Sequence, residues 1–308
     1  MKTGLGKDIF LWNVPRVSGG IPSAIAEKLV EGGFESVILK VADAGNKHVT
    51  NMGSIIRPRW VECVLPETVR IIKATAQQLG KPLKVYGYGF LYGALPTAEA
   101  HRAVSQTISL GLDGYVFDGE SRFEEKPNAV GNARLIGSIF RQGCPTTPAI
   151  FCGFAMFRSW TGGTWHPEAL HRAFMEWCDA GMPMSYWTGE TPSRALAILN
   201  ESVRQWRLIT DKPILPAGRA YNGDLGIARA EAMIAFDERA HELGLQGESW
   251  WSLEHAIKLD PSIWAALRSM PNFLTTPPIS PETPPPALTL EEQVTDHEQR
   301  LDALEAQI

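Results

Sequence analysis

Short apolar runs alternate with amphipathic segments along most of the chain, and this alternation repeats eight times. The short runs are rich in β-branched and aromatic residues, which is typical of buried strands, and the segments between them have helical periodicity. Strands that alternate with helices in this way form a parallel sheet. The predicted strands span residues 9–14, 36–41, 83–89, 114–118, 149–154, 184–187, 214–217 and 247–251.

A helix is predicted after each strand, and the helix ends have recognisable signals. Several helices begin with proline in the first turn, where its missing N–H costs little. Glycine follows most of the helices, where a left-handed cap is favoured. The predicted helices span residues 22–31, 66–79, 97–109, 128–141, 167–179, 192–209, 226–243 and 261–270, and the glycines are Gly32, Gly80, Gly111, Gly143, Gly181 and Gly244.

Eight such units predict a closed (β/α)8 TIM barrel over residues 1–270. An open dinucleotide-binding sheet is disfavoured, because no GxGxxG motif follows the first strand. Residues 271–287 are rich in proline and predict a semi-rigid linker. Residues 288–308 place Leu290, Val294, His297, Leu301, Leu304 and Ile308 on one helical seam. That spacing predicts a short coiled coil that makes the protein a homo-oligomer, a trimer by its Arg300–Glu305 pattern, although a single helix docked on the barrel is an alternative.

Composition narrows the classes of partner. The 308 residues have a formal net charge of -5, with 44% hydrophobic and 20% charged residues, as in soluble globular proteins. This balance argues against nucleic acid and membrane partners. No cysteine or histidine spacing indicates a metal site, and no cofactor is predicted. The expectation is a protein without a signal peptide that stays cytoplasmic until release, or is virion-associated or extracellular.

Two carboxylates stand out at the end of the fourth predicted strand. Asp118 and Glu120 are two residues apart, so an extended backbone points both side chains into the barrel mouth. Two close carboxyl groups push one pKa upward, which gives the protonated acid and ionised partner that glycosidic cleavage needs. The alternative is that either residue forms an ion pair with Arg122, Lys40 or Arg219.

Aromatic and polar residues cluster at the other strand ends, and aromatic faces are surfaces on which sugar rings stack. Alternation along a strand sends the two rings of Trp250 and Trp251 to opposite faces, so at most one of them lines the site. The candidate substrate-binding residues are Tyr86, Tyr88, Tyr186, Trp187, Arg219, Tyr221, Trp250, Trp251 and Glu254.

These motifs together resemble family 25 lysozymes and uncharacterised hydrolase-like barrels of bacteria and phages. The resemblance rests on Asp118-Gly-Glu120, on Tyr186-Trp187, and on the run from Gly247 to Glu254. It implies that Glu120 donates a proton while Asp118 orients the N-acetyl group of the substrate. It also implies an aspartate near the end of strand one, where this chain has Trp12-Asn13, and another on strand eight, where it offers Glu248 or Glu254.

Two main hypotheses follow. The first is a glycoside hydrolase that cleaves a cell-wall or surface polysaccharide with Glu120 as acid and base. The second, favoured by the missing strand-one aspartate and the tail, is a non-catalytic carbohydrate-binding or structural barrel displayed as a trimer on a phage tail or another appendage. A third hypothesis is an isomerase or aldolase that uses Lys40. A polysaccharide or glycan is the expected partner in the first two.

Overall fold

The computed structural model describes residues 5–52, 57, 60–161, 163–223, 225–258 and 260–273. Its strands are β1 (Lys7–Leu11), β2 (Ser36–Asp43), β3 (Asn46–Lys47), β4 (Val49–Asn51), β5 (Trp60–Glu62), β6 (Lys84–Leu91), β7 (Gly114–Gly119), β8 (Ala149–Phe154), β9 (Ala180–Met184), β10 (Ala217–Arg219) and β11 (Glu248–Trp251). Its α-helices are α1 (Pro22–Glu31), α2 (Pro66–Gln78), α3 (Pro96–Leu110), α4 (Ser121–Glu124), α5 (Ala129–Gly143), α6 (Glu168–Met175), α7 (Pro192–Trp206), α8 (Ala230–Glu242), α9 (Leu253–Ala256) and α10 (Pro261–Ser269).

Eight parallel strands close into a barrel, which confirms the predicted TIM barrel. The order is β1-β11-β10-β9-β8-β7-β6-β2, and β1 also pairs with β2, so that no edge is left open. Closure removes the unpaired backbone groups that an open sheet exposes. Beyond the barrel strands, β3 continues β2 in antiparallel pairing, and β4 pairs with β5 in a separate hairpin.

Alternation along each strand divides the buried residues into two cores. The outer core fills the space between the strands and the helices. The inner core fills the barrel itself and consists of Leu5, Phe10, Ile38, Tyr86, Tyr88, Val116, Ile150, Cys152, Ala180, Met182, Leu215 and Ala217. Inward residues near the carboxyl ends of the strands therefore rest on a packed floor, and polar groups at that level face the open mouth.

Glycine serves two different purposes in this fold. Gly111 ends α3 in a left-handed conformation, with φ of 63°, as its position in the sequence predicts. Gly181 was also predicted as a helix cap, but it lies inside β9. A Cβ there would lie 2.3 Å from the ring of Trp206, so glycine is needed for the close approach of that ring.

The sixth barrel strand is therefore displaced from its prediction. The sequence predicts this strand at 184–187, whereas β9 spans Ala180–Met184 and the preceding helix α6 ends at Met175. Pro183 lies in this strand, beside Gly153 of β8. Proline disfavours a strand assignment, which drew the prediction toward the aromatic residues that follow. Tyr186 and Trp187 consequently belong to the loop after the strand.

The remaining predictions on organisation fall partly outside the described residues. The linker is described only as far as residue 273, and the coiled coil at 288–308 lies entirely outside. The cysteines Cys63, Cys144, Cys152 and Cys178 are all buried free thiols. Among the described helices, none is both long and apolar enough to cross a membrane.

Candidate active site

Asp118 and Glu120 lie together at the open end of the barrel, as the sequence predicts. Tyr115 and Phe117 of β7 pack in the outer core, whereas Val116 packs inside, so Asp118 faces inward. Glu120 follows the last residue of β7 with the same parity and precedes the short helix α4. Asp118 is 6% exposed, and its Oδ1 is buried without a hydrogen-bond partner.

The environment of the two carboxyl groups favours their protonated forms. Burial raises the pKa of Asp118 well above its usual value, and the neighbouring charge of Glu120 raises it further. Burial also raises the pKa of Glu120, and the charge of Glu124 adds to this effect. Lys40 opposes both shifts. The charge of one carboxyl group acts on the pKa of the other, so the two protons are released in linked steps.

The cations considered as ion-pair partners engage other groups among the described residues. Lys40 Nζ lies 3.4 Å from Asp43 Oδ1. The Arg122 guanidinium lies over the ring of Tyr92, at 5.1 Å from its centroid. Arg219 donates hydrogen bonds to the backbone carbonyls of Gly189 and Ile227. No salt bridge within 4.0 Å joins Asp118 or Glu120 to a described residue, so the carboxyl groups face the mouth.

Polar groups from two neighbouring strands and from the loop after β9 surround Asp118. Cys152 lies directly beside it in the register of β7 and β8. The Tyr88 hydroxyl is buried without a hydrogen-bond partner, and its pKa is raised first by burial and then by Asp118 and Glu254. Burial raises the pKa of Tyr186 in the same way, with contributions from Cys152 and Asp118. Tyr88 and Tyr186 thus remain neutral hydroxyl groups that can donate to a ligand.

Trp251 is the ring of the tryptophan pair that faces the mouth. Its ring centroid lies 5.2 Å from that of Phe10 and 6.0 Å from that of Tyr88, both in the inner core. Trp250 points outward, is fully buried, and packs on Phe236 of α8. The prediction that one ring at most lines the site agrees with this placement, and the assignment of Trp250 to substrate binding is wrong.

Tyr86 and Trp187 were also assigned to substrate binding, and the structure places neither at the opening. Tyr86 lies deep in the barrel, where a Cβ at Gly114 would meet its ring at 2.1 Å. Its pKa is raised by burial and by Asp8, an aspartate near the start of β1, so the ring belongs to the closed end. Trp187 is 1% exposed and packs in the outer core against Phe236.

The other predicted residues support the rim. Tyr221 packs edge-on against Tyr186, with 5.9 Å between ring centroids, and so continues the aromatic wall. Arg219 lies over the Trp187 ring at 5.3 Å while it holds two rim loops through their carbonyls. Glu254 Oε1 accepts hydrogen bonds from the backbone N–H groups of Trp12 and Asn13, at 2.8 and 2.9 Å.

The strand-one and strand-eight acids implied by the family 25 resemblance have different positions here. Asp8 is the aspartate of β1, and its Oδ1 accepts hydrogen bonds from Ser36 and from the backbone N–H of Gly6 at the closed end. Glu248 points outward from β11 and accepts a 2.7 Å hydrogen bond from Trp250 Nε1. Of the two acids offered for strand eight, Glu254 is therefore the one near the mouth.

Sequence reasoning missed two groups near the carboxyl pair. Cys152 could have been found from the parity of β8, because Ile150 also faces inward. Glu124 could not, since it comes from the short helix α4. The sequence places His166 in the loop after the fifth strand, but it does not predict the contact of His166 with Glu124. His166 Nδ1 lies 2.8 Å from Glu124 Oε2, and the imidazole stacks on Phe154 at 3.6 Å between centroids. This pair forms the wall beside Glu120.

No cluster of three or more histidine, cysteine, aspartate or glutamate side chains suited to a metal ion occurs within the described part of the chain. The groups that converge at the mouth are two coupled acids, neutral tyrosine hydroxyls, one lysine and an aromatic surface. Such a set can transfer protons and bind hydroxyl or amide groups of a ligand. Polar groups beside an aromatic ring are of the kind that bind carbohydrates.

Comparisons with known proteins identify the fold. No family model matches the chain, and no curated protein matches it. Among solved structures, a GH18 chitinase from Pseudoalteromonas aurantia has a TM-score of 0.61 and 13% identity, over 84% of this chain and 98% of that one. The endo-beta-1,4-mannanase from Thermotoga petrophila has a TM-score of 0.58 and 13% identity, over 82% and 68%.

A third similar structure is the spore cortex-lytic enzyme SleL from Bacillus cereus, with a TM-score of 0.57 and 11% identity, over 85% of this chain and 73% of that one. At these identities the likeness establishes the TIM-barrel fold alone. The narrower resemblance to family 25 lysozymes is not shown by these comparisons. The function must be argued from the site itself.

Proposed function

We propose that this barrel is a glycoside hydrolase that cleaves a cell-wall or surface polysaccharide, with Glu120 as general acid and base. One observation carries the proposal. Asp118 and Glu120 form an interacting acid pair at the open end of the barrel, and both have raised pKa values. Proton donation to a leaving sugar at neutral pH requires a carboxyl group of this kind.

The deeper acid, Asp118, is suited to orient an N-acetyl group. Its unpartnered Oδ1 can accept a hydrogen bond from the acetamido N–H of a sugar. That bond favours the ionised form of Asp118, so the proton of the pair moves to Glu120 when the substrate binds. Substrate binding would thereby leave Glu120 protonated, as a general acid must be.

Hydrolysis then proceeds in two steps with retention. Glu120 protonates the glycosidic oxygen, the C–O bond breaks, and the acetamido oxygen bonds to the anomeric carbon. The Glu120 carboxylate next takes a proton from a water molecule, whose oxygen replaces the acetamido oxygen. Trp251 would stack on the sugar ring, and the Tyr88 and Tyr186 hydroxyls would donate hydrogen bonds to it.

The similar structures support this proposal at the level of substrate class. Their names describe chitinases, a mannanase and a cortex-lytic enzyme, all of which act on polysaccharides. The alternative is a barrel that binds a glycan without cleaving it. Asn13, an amide at the end of strand one where the family 25 resemblance implies an aspartate, favours that alternative.

The experiment compares the native protein with Glu120→Gln and Asp118→Asn on dye-labelled chitin, mannan and bacterial cell walls. We expect the native protein to release dye from chitin or cell walls, whose sugars carry the acetamido group that the mechanism uses, and not from mannan, which lacks it. Glu120→Gln should lower the rate by about 10²–10⁴-fold, the usual contribution of a general acid. Glu125→Gln is the matched control, because Glu125 is an exposed acid in the same loop, and it should keep the native rate.

Two results would overturn the proposal. Retention of a labelled glycan by the native protein, without release from any substrate, would establish the binding barrel instead. Equal release by Glu120→Gln and the native protein would remove Glu120 from the mechanism. Proton NMR of the first product tests retention, since an inverted anomer would contradict the role given to Asp118.

A further inference from the structure

Lys40 lies in the mouth of the barrel and has no role in the proposed reaction. Its neighbours Leu39 and Val41 pack in the outer core, so the Lys40 side chain turns inward. In the register of β2 and β6 it lies beside Tyr88, which pairs with Val116 of β7, and Asp118 lies two residues beyond Val116 on the same face. The side chain is only 13% exposed.

The ammonium group of Lys40 stands among acids. Its closest ion pair is with Asp43 Oδ1 at 3.4 Å, and Asp43 is itself 40% exposed. It also lies 5.7 Å from the centre of the Phe90 ring. A buried cation with a single long, solvent-exposed ion pair retains much of its field, because water screens it weakly.

We propose that Lys40 is a positioning residue whose positive field keeps the Asp118–Glu120 pair singly protonated, and that its amine takes no covalent part in the reaction. This inference rests on the proposed hydrolytic function. Burial favours the neutral form of both carboxyl groups, and a pair with both protons in place lacks the ionised member that hydrolysis needs. A nearby cation favours the ionised form of a carboxyl group and so restores the ionised member of the pair.

The neighbouring charges support this assignment. The charge of Lys40 lowers the pKa of Asp118 and that of Glu120, whereas Asp43 raises the pKa of Asp118 and Glu124 raises that of Glu120.

Burial and Lys40 lower the pKa of His48 to about 4, so this imidazole is neutral at pH 7. The remaining titratable groups around the pair are Tyr88, Cys152, Tyr186 and Glu254, of which the first three are kept neutral by burial.

The third hypothesis from the sequence, an aldolase or isomerase that uses Lys40, requires a different state of the Lys40 amine. Schiff-base chemistry needs an unprotonated, nucleophilic lysine. In the structure the Lys40 ammonium group instead pairs with the carboxylate of Asp43. The two roles are separable by experiment, because a field survives replacement by another cation and a nucleophile does not.

The test uses Lys40→Met, which removes the charge and keeps most of the stem, and Lys40→Arg, which keeps the charge. In Lys40→Met both limbs of the pH–rate profile should move to higher pH, because both carboxyl groups lose an attractive charge. On the acid side the rate should fall about tenfold for each pH unit of displacement. Lys40→Arg should restore the native profile. Lys84→Met, an exposed lysine at the closed end, is the matched control and should leave the profile unchanged.

A second readout is independent of activity. Carbon-13 NMR titration of labelled carboxyl groups, with Asp118→Asn and Glu120→Gln used for assignment, should show higher midpoints for both groups in Lys40→Met. Unmoved midpoints, or a rate loss equal at every pH, would overturn the role of Lys40 even if hydrolysis is confirmed. Shifted midpoints in a protein that cleaves no polysaccharide would instead sustain the field and refute the hydrolase. Trapping of an aldehyde on Lys40 by borohydride during turnover would overturn the non-covalent role.

Discussion

Two pairs of buried carboxyl groups lie at opposite surfaces of the barrel wall, and their surroundings differ. Asp118 and Glu120 face the open mouth, where Asp118 has an unpartnered oxygen. Asp237 of α8 and Glu248 of β11 lie between the wall and the helices, where Asp237 Oδ1 and Glu248 Oε2 likewise have no hydrogen-bond partner. Burial raises the pKa of both members in each pair, to about 7 for Asp237.

A raised pKa therefore does not by itself distinguish a reactive site from a structural one. Asp237 lines a pocket beside His241 and Met270, whereas Glu248 is fully buried and accepts a hydrogen bond from Trp250 Nε1. The mouth pair is reached from solvent and is flanked by an aromatic ring and hydroxyl groups. What assigns chemistry to a buried acid is a path for a ligand together with groups that can bind it.

Each pair also has a neighbouring lysine, and the two lysines differ in how fully their ammonium groups are hydrogen-bonded. Lys7 lies beside Glu248 in the register of β1 and β11. Its ammonium group donates to the carbonyl oxygens of Gly32, Leu267 and Met270, at the ends of α1 and α10. Lys40 makes one long ion pair instead. Lys7 therefore stabilises the ends of two helices, whereas Lys40 can act on the pKa values of the neighbouring acids.

The largest effect should come from the two tryptophans that divide between these regions. Trp250→Ala should lower the free energy of unfolding by about 3–5 kcal/mol, because it empties a fully buried site. Trp251→Ala should cost less stability and should weaken oligosaccharide binding by about 0.5–1.5 kcal/mol, the usual value of an aromatic contact. Chemical denaturation and calorimetric titration measure the two quantities.

Trp250→Phe serves as a second variant in case the alanine variant fails to fold. It should bind oligosaccharide with native affinity. A loss of affinity in Trp250→Phe that matched the loss in Trp251→Ala would mean that the outer surface of the wall also contacts sugar. The division between the two regions would then be wrong.

The contrast between these tryptophans shows how far sequence reasoning reaches. Strand alternation predicts that adjacent rings face opposite sides, and it predicts that Asp118 and Glu120 share one side. Which ring faces inward depends on how β11 is rotated in the closed barrel, and local pattern does not determine that. The acid pair could be predicted because its members are two residues apart on one strand.

The outer pair could not be predicted, because it joins α8 to β11 through the docking of a helix on the wall. The same limit explains Trp187 and the displaced strand β9, where Pro183 obscured the strand signal. Periodicity predicts the eight βα units, since each depends on contacts close in sequence. Contacts between distant elements have no comparable signal in one sequence.

An intermediate effect is expected from the lysine at the closed end. Lys7→Met should lower the free energy of unfolding by about 1–3 kcal/mol, because buried carbonyl oxygens lose their donor. It should leave the pH–rate profile at its native position. Lys40→Met should show the reverse, with a displaced profile and little loss of stability. Denaturation curves and rate profiles of both variants test this pairing, and a displaced profile in Lys7→Met would contradict the structural role of Lys7.

The remaining effect concerns the pH dependence of stability. In the folded protein Asp237 holds its proton up to about pH 7, whereas an unfolded aspartate releases it near pH 4. Between these values the folded state binds more protons, so the free energy of unfolding falls as pH rises. Asp237→Asn should flatten this slope by at most about 1.4 kcal/mol per pH unit, the contribution of one proton. Asp118→Asn should flatten it in the same direction, because burial raises the pKa of Asp118 too.

Denaturation of both asparagine variants between pH 4 and 8, together with rate measurements, separates the two pairs. Both variants should gain stability relative to the native protein near neutral pH, and only Asp118→Asn should lose hydrolysis. A slope unchanged in Asp237→Asn would mean that Asp237 ionises freely in the folded state. A loss of hydrolysis in Asp237→Asn at full folding would mean that the outer acids affect the chemistry through the wall, and a position at the mouth would no longer distinguish the two pairs.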